Sequence, residues 1–161
     1  LFMGDEFGQW NAWDPDQSLD WHLLGVPAPR QLRHWVKELN ERYQGEKALH
    51  DLDFDVAGFE WIDCTDWERS IVSLIRKDRV GQDIILIVCN FTPVPRMNYR
   101  VGVPRGGFWE EILNSDAASY GGNGYGNLGG VNATPIACHG RPCSLNLILP
   151  PLSVVYFKNS S

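Results

Sequence analysis

The residues of this chain that could take part in chemistry lie near its start. Asp5 and Glu6 are adjacent carboxylates that follow a short apolar run and a glycine, and Gln9 and Trp10 come soon after them. An apolar run that ends in glycine and acidic residues is typical of a buried parallel strand entering a functional loop. Adjacent carboxylates at a strand end point in different directions and rarely act on one bond together. Structural hydrogen bonding is therefore the preferred interpretation of the acidic pair.

Tryptophan residues with short polar neighbours form a second pattern. Sugar rings stack on indole rings and hydrogen-bond to short polar side chains, so this mixture suits carbohydrate. The set is Trp10, Trp13, Trp21 and Trp61, with Gln9, Asn11, Asp14, Asp16 and Asp20 near the first three. Burial between two domains is the alternative, and it is preferred for Trp21. Trp61 lies on a predicted strand where it could face either side, and it is the candidate platform for a sugar ring.

Metal and phosphate sites are not indicated. Cys138, His139 and Cys143 lack the spacing of a strong zinc pattern, and a fourth ligand is not evident. The glycine-rich stretch at 121–130 has no Lys-Ser/Thr pair and no following helix, so it predicts a flexible loop between strands and not a phosphate-binding loop. The cysteines are expected to be free thiols. We predict no metal and no cofactor.

Composition limits the classes of partner. The net charge is −6, which argues against nucleic acid, because nucleic acid attracts clustered lysine and arginine. No apolar run reaches the roughly 18 residues of a spanning helix, and no basic amphipathic helix suggests a membrane surface. No signal peptide is visible. We therefore expect a cytoplasmic protein without a nucleic-acid or membrane partner.

The predicted elements divide the chain into two parts. Residues 1–47 predict a strand at 1–4, a long polar loop and a helix over 30–44, where apolar residues recur at helical spacing. Residues 48–161 have a period of two and predict short antiparallel strands. These lie at 59–63, 70–76, 84–90, 98–103, 108–114, 144–149 and 154–157. The fold class is mainly β, an antiparallel sandwich or barrel. A single strand–loop–helix unit cannot close a sheet, so we expect the tail of a larger enzyme.

Distinctive segments occur along essentially the whole chain. They are SLDWHLL at 18–24, LHDLDFD at 49–55, GFEW at 58–61, CNFTPVPR at 89–96, LNSD at 113–116, HGR at 139–141 and LILPPL at 147–152. Together with residues 1–9 and the helix, they make the chain resemble the glycogen branching enzymes of the α-amylase superfamily. One departure is the short, proline-rich stretch 25–29, which is expected to alter a surface loop.

The resemblance implies a retaining transferase that cuts an α-1,4-glucan and rejoins it through an α-1,6 bond. The family works on a (β/α)₈ barrel with an aspartate nucleophile, a glutamate acid/base and a second aspartate. In the family these carboxylates precede the segment that matches residue 1, so no catalytic residue is carried over to this sequence. Residues 1–47 would be the last strand and helix of the barrel, and residues 48–161 the C-terminal all-β domain. Glu6, Gln9 and Trp10 would lie on the active-site face as substrate-binding residues.

Several hypotheses about function follow. The parent protein would act on α-glucans such as glycogen or amylose, and the isolated chain would be inactive. The sandwich would stabilise the barrel, bind glucan, or do both. The alternatives are a stand-alone carbohydrate-binding sandwich, or the tail of another amylase-type enzyme such as a trehalose-releasing hydrolase or a debranching enzyme. Without the barrel, we expect apolar surface to be exposed and to promote self-association.

Overall fold

The computed structural model describes residues 2–159, and the first part of these is helical. Two 3-10 turns, Asp5–Phe7 and Trp21–Gly25, precede helix α1 (Pro27–Gly45). A short helix α2 (Lys47–His50) and a third 3-10 turn, Val56–Gly58, follow. The helix predicted at 30–44 is confirmed. It begins three residues earlier because proline, which lacks an N–H, is tolerated in the first turn of a helix.

Two antiparallel sheets form the rest of the described chain. The strands are β1 (Phe59–Asp66), β2 (Ile71–Lys77), β3 (Ile84–Asn90), β4 (Arg96–Val103), β5 (Phe108–Asn114), β6 (Gly130–Asn132), β7 (Cys143–Leu149) and β8 (Ser153–Asn159). The large sheet has the order β1-β2-β3-β8-β5-β6, and β4 pairs with β7 in a second sheet. The predicted mainly β, antiparallel fold is confirmed.

The main core lies between the two sheets. Leu145, Leu147 and Leu149 of β7 are buried, as their alternation predicts. On β5, Trp109 is fully buried, and its indole N–H donates to the backbone carbonyl of Arg105 at 3.3 Å. A buried tryptophan whose N–H has found an acceptor adds a large apolar contact without an unsatisfied donor.

The outer face of the large sheet carries the helices. Leu49 of α2 packs with Ile85 of β3 and Ile112 of β5 in a second buried cluster. At the end of α1, Glu46 accepts a hydrogen bond from Lys158 of β8 at 2.6 Å. β3 is therefore covered on both faces, which explains its continuous apolar sequence. The domain boundary predicted between residues 47 and 48 falls inside α2 and stays a prediction.

One local prediction needs correction. Residue 1 lies outside the described residues, and Phe2–Gly4 form a turn in place of the predicted strand, with the Asp5 amide donating to the Phe2 carbonyl at 3.0 Å. A strand exists only where a neighbour completes its ladder, and within residues 2–159 none lies beside this segment. The glycine-rich stretch lies between β5 and β6, as predicted for a loop between strands, and it wraps around the carboxylate of Asp116.

Close backbone packing explains one glycine of β4. At Gly102 the strand passes the 138–141 turn, and a Cβ there would lie 2.1 Å from the carbonyl oxygen of Cys138. No real Cβ approaches an oxygen so closely, so this crossing requires glycine.

Candidate functional site

An exposed aromatic pair lies on the outer face of the large sheet. Trp61 and Phe59 are two positions apart on β1, so their side chains lie on the same face of the strand. Their ring centroids are 4.9 Å apart in an edge-to-face arrangement. Trp61 is 49% exposed. Among residues 2–159, β1 pairs with β2 alone and forms an edge of the sheet, so one side of this aromatic pair is open. Trp61 is therefore accessible to a ligand and is held in place by its neighbour.

The charged residue between these two rings is already engaged. Glu60 alternates to the other side of β1, where Lys77 donates to its carboxylate at 2.7 Å and Arg141 donates to its second oxygen. Its negative charge is thus balanced by two cations. The aromatic pair therefore offers an apolar stacking surface without a free acid beside it.

The N-terminal candidates have different surroundings. Gln9 accepts a hydrogen bond from the Asp20 amide at 2.9 Å, and its own amide donates to the Asn11 carbonyl at 3.1 Å. Glu6 accepts from the Gly4 amide at 3.1 Å. Both side chains therefore fold the loop on itself, which agrees with the structural interpretation of the acidic pair.

The N-terminal candidates do not converge on one cavity. Gln9 lines a small pocket of about 210 Å³ together with residues 11–14 and 17–20. Glu6 lines a different pocket of about 450 Å³ against α1. Trp10 is 71% exposed and Trp21 is 50% exposed, with Trp21 leaning on the buried ring of Phe7. Substrate binding by Glu6, Gln9 and Trp10 stays a prediction.

A polar groove that sequence reasoning did not find runs between β1 and β4. Its volume is about 780 Å³, and its walls include Asp63, Asp66, Tyr99 and His139. The Tyr99 hydroxyl donates to Asp66 at 2.7 Å. Burial and the carboxylate of Asp66 raise the pKa of Tyr99 well above its usual range. These two residues are 33 positions apart, so no local pattern could have shown that they meet.

Asp63 and His139 form the other wall of this groove. The Gly102 amide donates to Nδ1 of His139 at 3.4 Å, and Nε2 lies 3.7 Å from the Asp63 carboxylate. Burial alone would raise the pKa of Asp63, but two hydrogen bonds from Thr65 and the nearby His139 hold it below its usual value. A carboxylate that already accepts these bonds serves as a positioned acceptor, not as an acid.

The cysteines and the possible metal ligands form no further site in residues 2–159. Cys64, Cys89, Cys138 and Cys143 are free thiols, as predicted. Within residues 2–159, no three His, Cys, Asp or Glu side chains come together as metal ligands. None of the helices in this part of the chain combines the length and apolarity needed to cross a membrane.

Comparison with known proteins gives consistent results. The chain is 60% identical over 159 residues to the 1,4-alpha-glucan branching enzyme GlgB of Aquifex aeolicus. This match covers 99% of the present chain and 25% of the Aquifex aeolicus protein. It is 55% identical over 156 residues to GlgB of Aromatoleum aromaticum, covering 97% of this chain and 24% of that protein. The predicted resemblance to branching enzymes is confirmed. The chain spans about a quarter of the length of the curated relatives it matches.

A solved structure with a similar fold and a matching family model are consistent with these relatives. A MUTB mutant from crystals soaked with trehalulose superposes with a TM-score of 0.50 at 17% identity, over 93% of this chain and 22% of that one, which shows a shared fold alone. The model described as "Alpha amylase, C-terminal all-beta domain" matches residues 61–160. The chain therefore belongs to the family of α-amylase C-terminal all-β domains.

Proposed function

We propose that this chain is the C-terminal part of a cytoplasmic 1,4-α-glucan branching enzyme, which moves an α-1,4-glucan segment onto an α-1,6 branch by a retaining mechanism. The 60% identity with a branching enzyme across nearly the whole chain carries this proposal. The substrate is an α-glucan such as glycogen or amylose. Catalysis belongs to the barrel of the complete enzyme, so the 161-residue chain alone does not branch.

The sandwich supports the helical segment that would border the barrel. Leu49, Ile85 and Ile112 bury apolar surface between the helices and the large sheet. Beside them, Arg76 of β2 donates to Asp53 at 2.6 Å. Apolar burial of this kind supplies most of the stabilisation, because each partly exposed ion pair contributes little. The sandwich thus fixes the position of α2, which follows α1 directly.

A chimera tests the proposed activity. The segment of the Aquifex aeolicus enzyme that matches this chain is replaced by the 161 residues, and the product is incubated with amylose. We expect loss of iodine staining together with new α-1,6 anomeric proton signals, and neither change with the 161-residue chain alone. Release of free sugars without α-1,6 linkages would favour another amylase-type enzyme. Branching by the isolated chain would refute its assignment as a non-catalytic part.

The exposed aromatic pair favours a second role, in which the sandwich holds glucan at Trp61. The edge position of β1 leaves one side of the Trp61 ring free, while Phe59 limits its rotation. A stacked sugar ring should contribute about 1 kcal/mol, or roughly fivefold in affinity, and the affinity of one such contact is therefore weak. Glu6, Gln9 and Trp10 are proposed as additional glucan contacts near the barrel.

A matched pair of tryptophan variants tests this role. Titration of the chain with maltoheptaose, followed by fluorescence, should show roughly fivefold weaker binding for Trp61→Ala. Trp61→Phe keeps an aromatic plane and should recover part of the affinity. Trp67→Ala is the control, because Trp67 is 80% exposed in the turn after β1. Equal losses for the two alanine variants would contradict a specific platform.

Self-association is a further proposal about the isolated chain. Phe2, Trp10, Trp13 and Trp21 are all at least 41% exposed, which is an unusual concentration of apolar surface in one short segment. Sedimentation velocity should show concentration-dependent association of the 161-residue chain, and Trp10→Ser should reduce it. A monomer at all concentrations would argue against this proposal.

A further inference from the structure

A cavity of about 510 Å³ lies between helix α1 and the outer face of the large sheet. Its floor is a row of apolar side chains that crosses four neighbouring strands. Leu74 of β2 pairs with Ile87 of β3, Ile87 pairs with Tyr156 of β8, and Tyr156 pairs with Leu113 of β5. This row faces α1, so the cavity is an apolar cleft between the helix and the sheet that stays partly open to solvent.

The roof and the ends of the cavity come from the helical segment. Leu39, Arg42 and Tyr43 of α1 cover the floor, while Leu49 and Phe59 close the cavity at its sides. The volume lies within the range of small-molecule sites, which are mostly apolar with a few placed polar groups. The cavity therefore has the size and lining of a ligand site.

The thiol and the phenolic hydroxyl on the floor of the cavity are neutral. Burial raises the pKa of the Cys89 thiol at the floor. Burial also raises the pKa of Tyr156, and the neighbouring Cys89 adds to this effect. Both groups therefore stay protonated at neutral pH and bring no negative charge into the cavity.

The charge of the cavity comes from two arginines that differ in their partners. Arg76 is compensated, since it donates to Asp53 at 2.6 Å and to the Gly58 carbonyl at 3.0 Å. Arg42 is half-buried, and among residues 2–159 its guanidinium makes no side-chain hydrogen bond or ion pair. Its guanidinium nitrogens are in contact with solvent, so they are free to pair with the anionic group of a ligand bound in the cavity.

We propose that this cavity binds a small amphipathic anion, with an acyl or aryl body against the apolar floor and a carboxylate on the guanidinium of Arg42. The apolar floor recognises the body, and Arg42 recognises the head through charge-assisted hydrogen bonds. A cationic ligand would be repelled by the same group. The occupant is a free small molecule, because the cavity is concave and lies beneath a helix.

Protection of the Cys89 thiol from chemical modification tests whether the ligand binds in this cavity. Decanoate, used below its micellar concentration, should slow the reaction of Cys89 with N-ethylmaleimide, as followed by peptide mass spectrometry. At nine times the dissociation constant, the rate should fall about tenfold, in proportion to the free protein. Cys64 is exposed and serves as the internal control, since its rate should not change. Unchanged reactivity of Cys89 at saturating decanoate would overturn the proposal.

Charge variants test the recognition of the head. Arg42→Gln should weaken decanoate binding about tenfold and leave the binding of decanol unchanged, because only the charge-assisted contact is lost. Arg30→Gln changes an exposed arginine of the same helix and should have no effect. Leu74→Trp should fill the cavity and abolish protection of Cys89, with circular dichroism confirming the fold. Equal affinity for decanoate and decanol in the unmodified chain would refute a site for an anion.

Discussion

Replacing Asp116 with alanine should release the glycine-rich loop from the sandwich. Asp116 is 7% exposed, and its two carboxylate oxygens accept the backbone amides of Asn123 and Tyr125, each at 3.0 Å. Its carbonyl also accepts the Gly124 amide at 2.8 Å. The side chain and the backbone carbonyl of Asp116 together hold three consecutive residues of a loop rich in glycine, and glycine loses much conformational entropy when it is ordered.

The magnitude follows from the lost bonds to the carboxylate. Asp116→Ala removes the two backbone bonds and a longer one, at 3.4 Å, from the side-chain amide of Asn123. A hydrogen bond to a charged group contributes about 1.5–3 kcal/mol, and the two short backbone bonds are counted here. The freed amides can reach water once the loop moves, so the lower end of the range applies and the expected loss in the free energy of unfolding is about 3 kcal/mol. For a chain of this size, that corresponds to a fall of about 6–12 °C in melting temperature.

Urea unfolding and amide hydrogen exchange measure the two consequences. Asp116→Asn keeps one acceptor oxygen and should lose about half as much free energy. Glu68→Ala is a control at an exposed carboxylate and should stay within about 0.5 kcal/mol of the parent. Exchange should accelerate at the amides of Asn123 and Tyr125. If Asp116→Ala lost no more than this control and these amides stayed protected, the carboxylate would not organise the loop.

The remaining predictions concern packing and charge. Gly102→Ala should destabilise the chain by about 1–3 kcal/mol in thermal unfolding because its Cβ has no space, whereas Gly45→Ala, where no atom lies within 4 Å, should be nearly neutral. Lys158→Met removes the bond to Glu46 and should cost about 1 kcal/mol in urea, and no measurable loss would show that this pair is dispensable. Because the pKa of Asp63 is lowered in the folded state, its contribution is present above the unfolded value near pH 4 and is lost as the pH falls. Asp63→Asn should therefore reduce the loss in the free energy of unfolding as the pH is lowered below about 4. An unchanged loss in this pH range would contradict the prediction.

The strands could be predicted because each buries one face. In β7, the leucines at 145, 147 and 149 alternate with polar residues, and all three are buried as expected. β3 lacks alternation because the core and α2 cover its two faces, and its continuous apolar run predicted this. Local pattern is sufficient where burial is determined by the strand itself.

Long-range pairing could not be predicted in the same way. β8 lies between β3 and β5, so its neighbours are more than 35 residues away in the sequence, and no local signal fixes that order. The predicted strand at the N-terminus fails for the same reason, since a strand needs partners that the sequence of the strand does not specify. The groove residues Tyr99 and Asp66 meet only because β4 passes the end of β1.

The direction of Trp61 could have been read from its neighbour. Ile62 is 8% exposed and faces the core, so alternation places Trp61 on the outer face. A bulge follows in β1, where the pairing shifts between Trp61 and Asp63, and this irregularity turns Asp63 towards the groove. No sequence signal marks the bulge, so the groove was not predicted even though the platform was.

A supporting role and a glucan platform are compatible because they use different strands of one sheet. The contacts that hold the helices involve Ile85 on β3 and Ile112 on β5, away from the edge. Trp61 lies on β1, which pairs only with β2, so a change there removes contacts from one edge strand. Contacts that share no partners act nearly independently. The sheet can therefore present an aromatic surface at its edge without weakening the packing that positions α2.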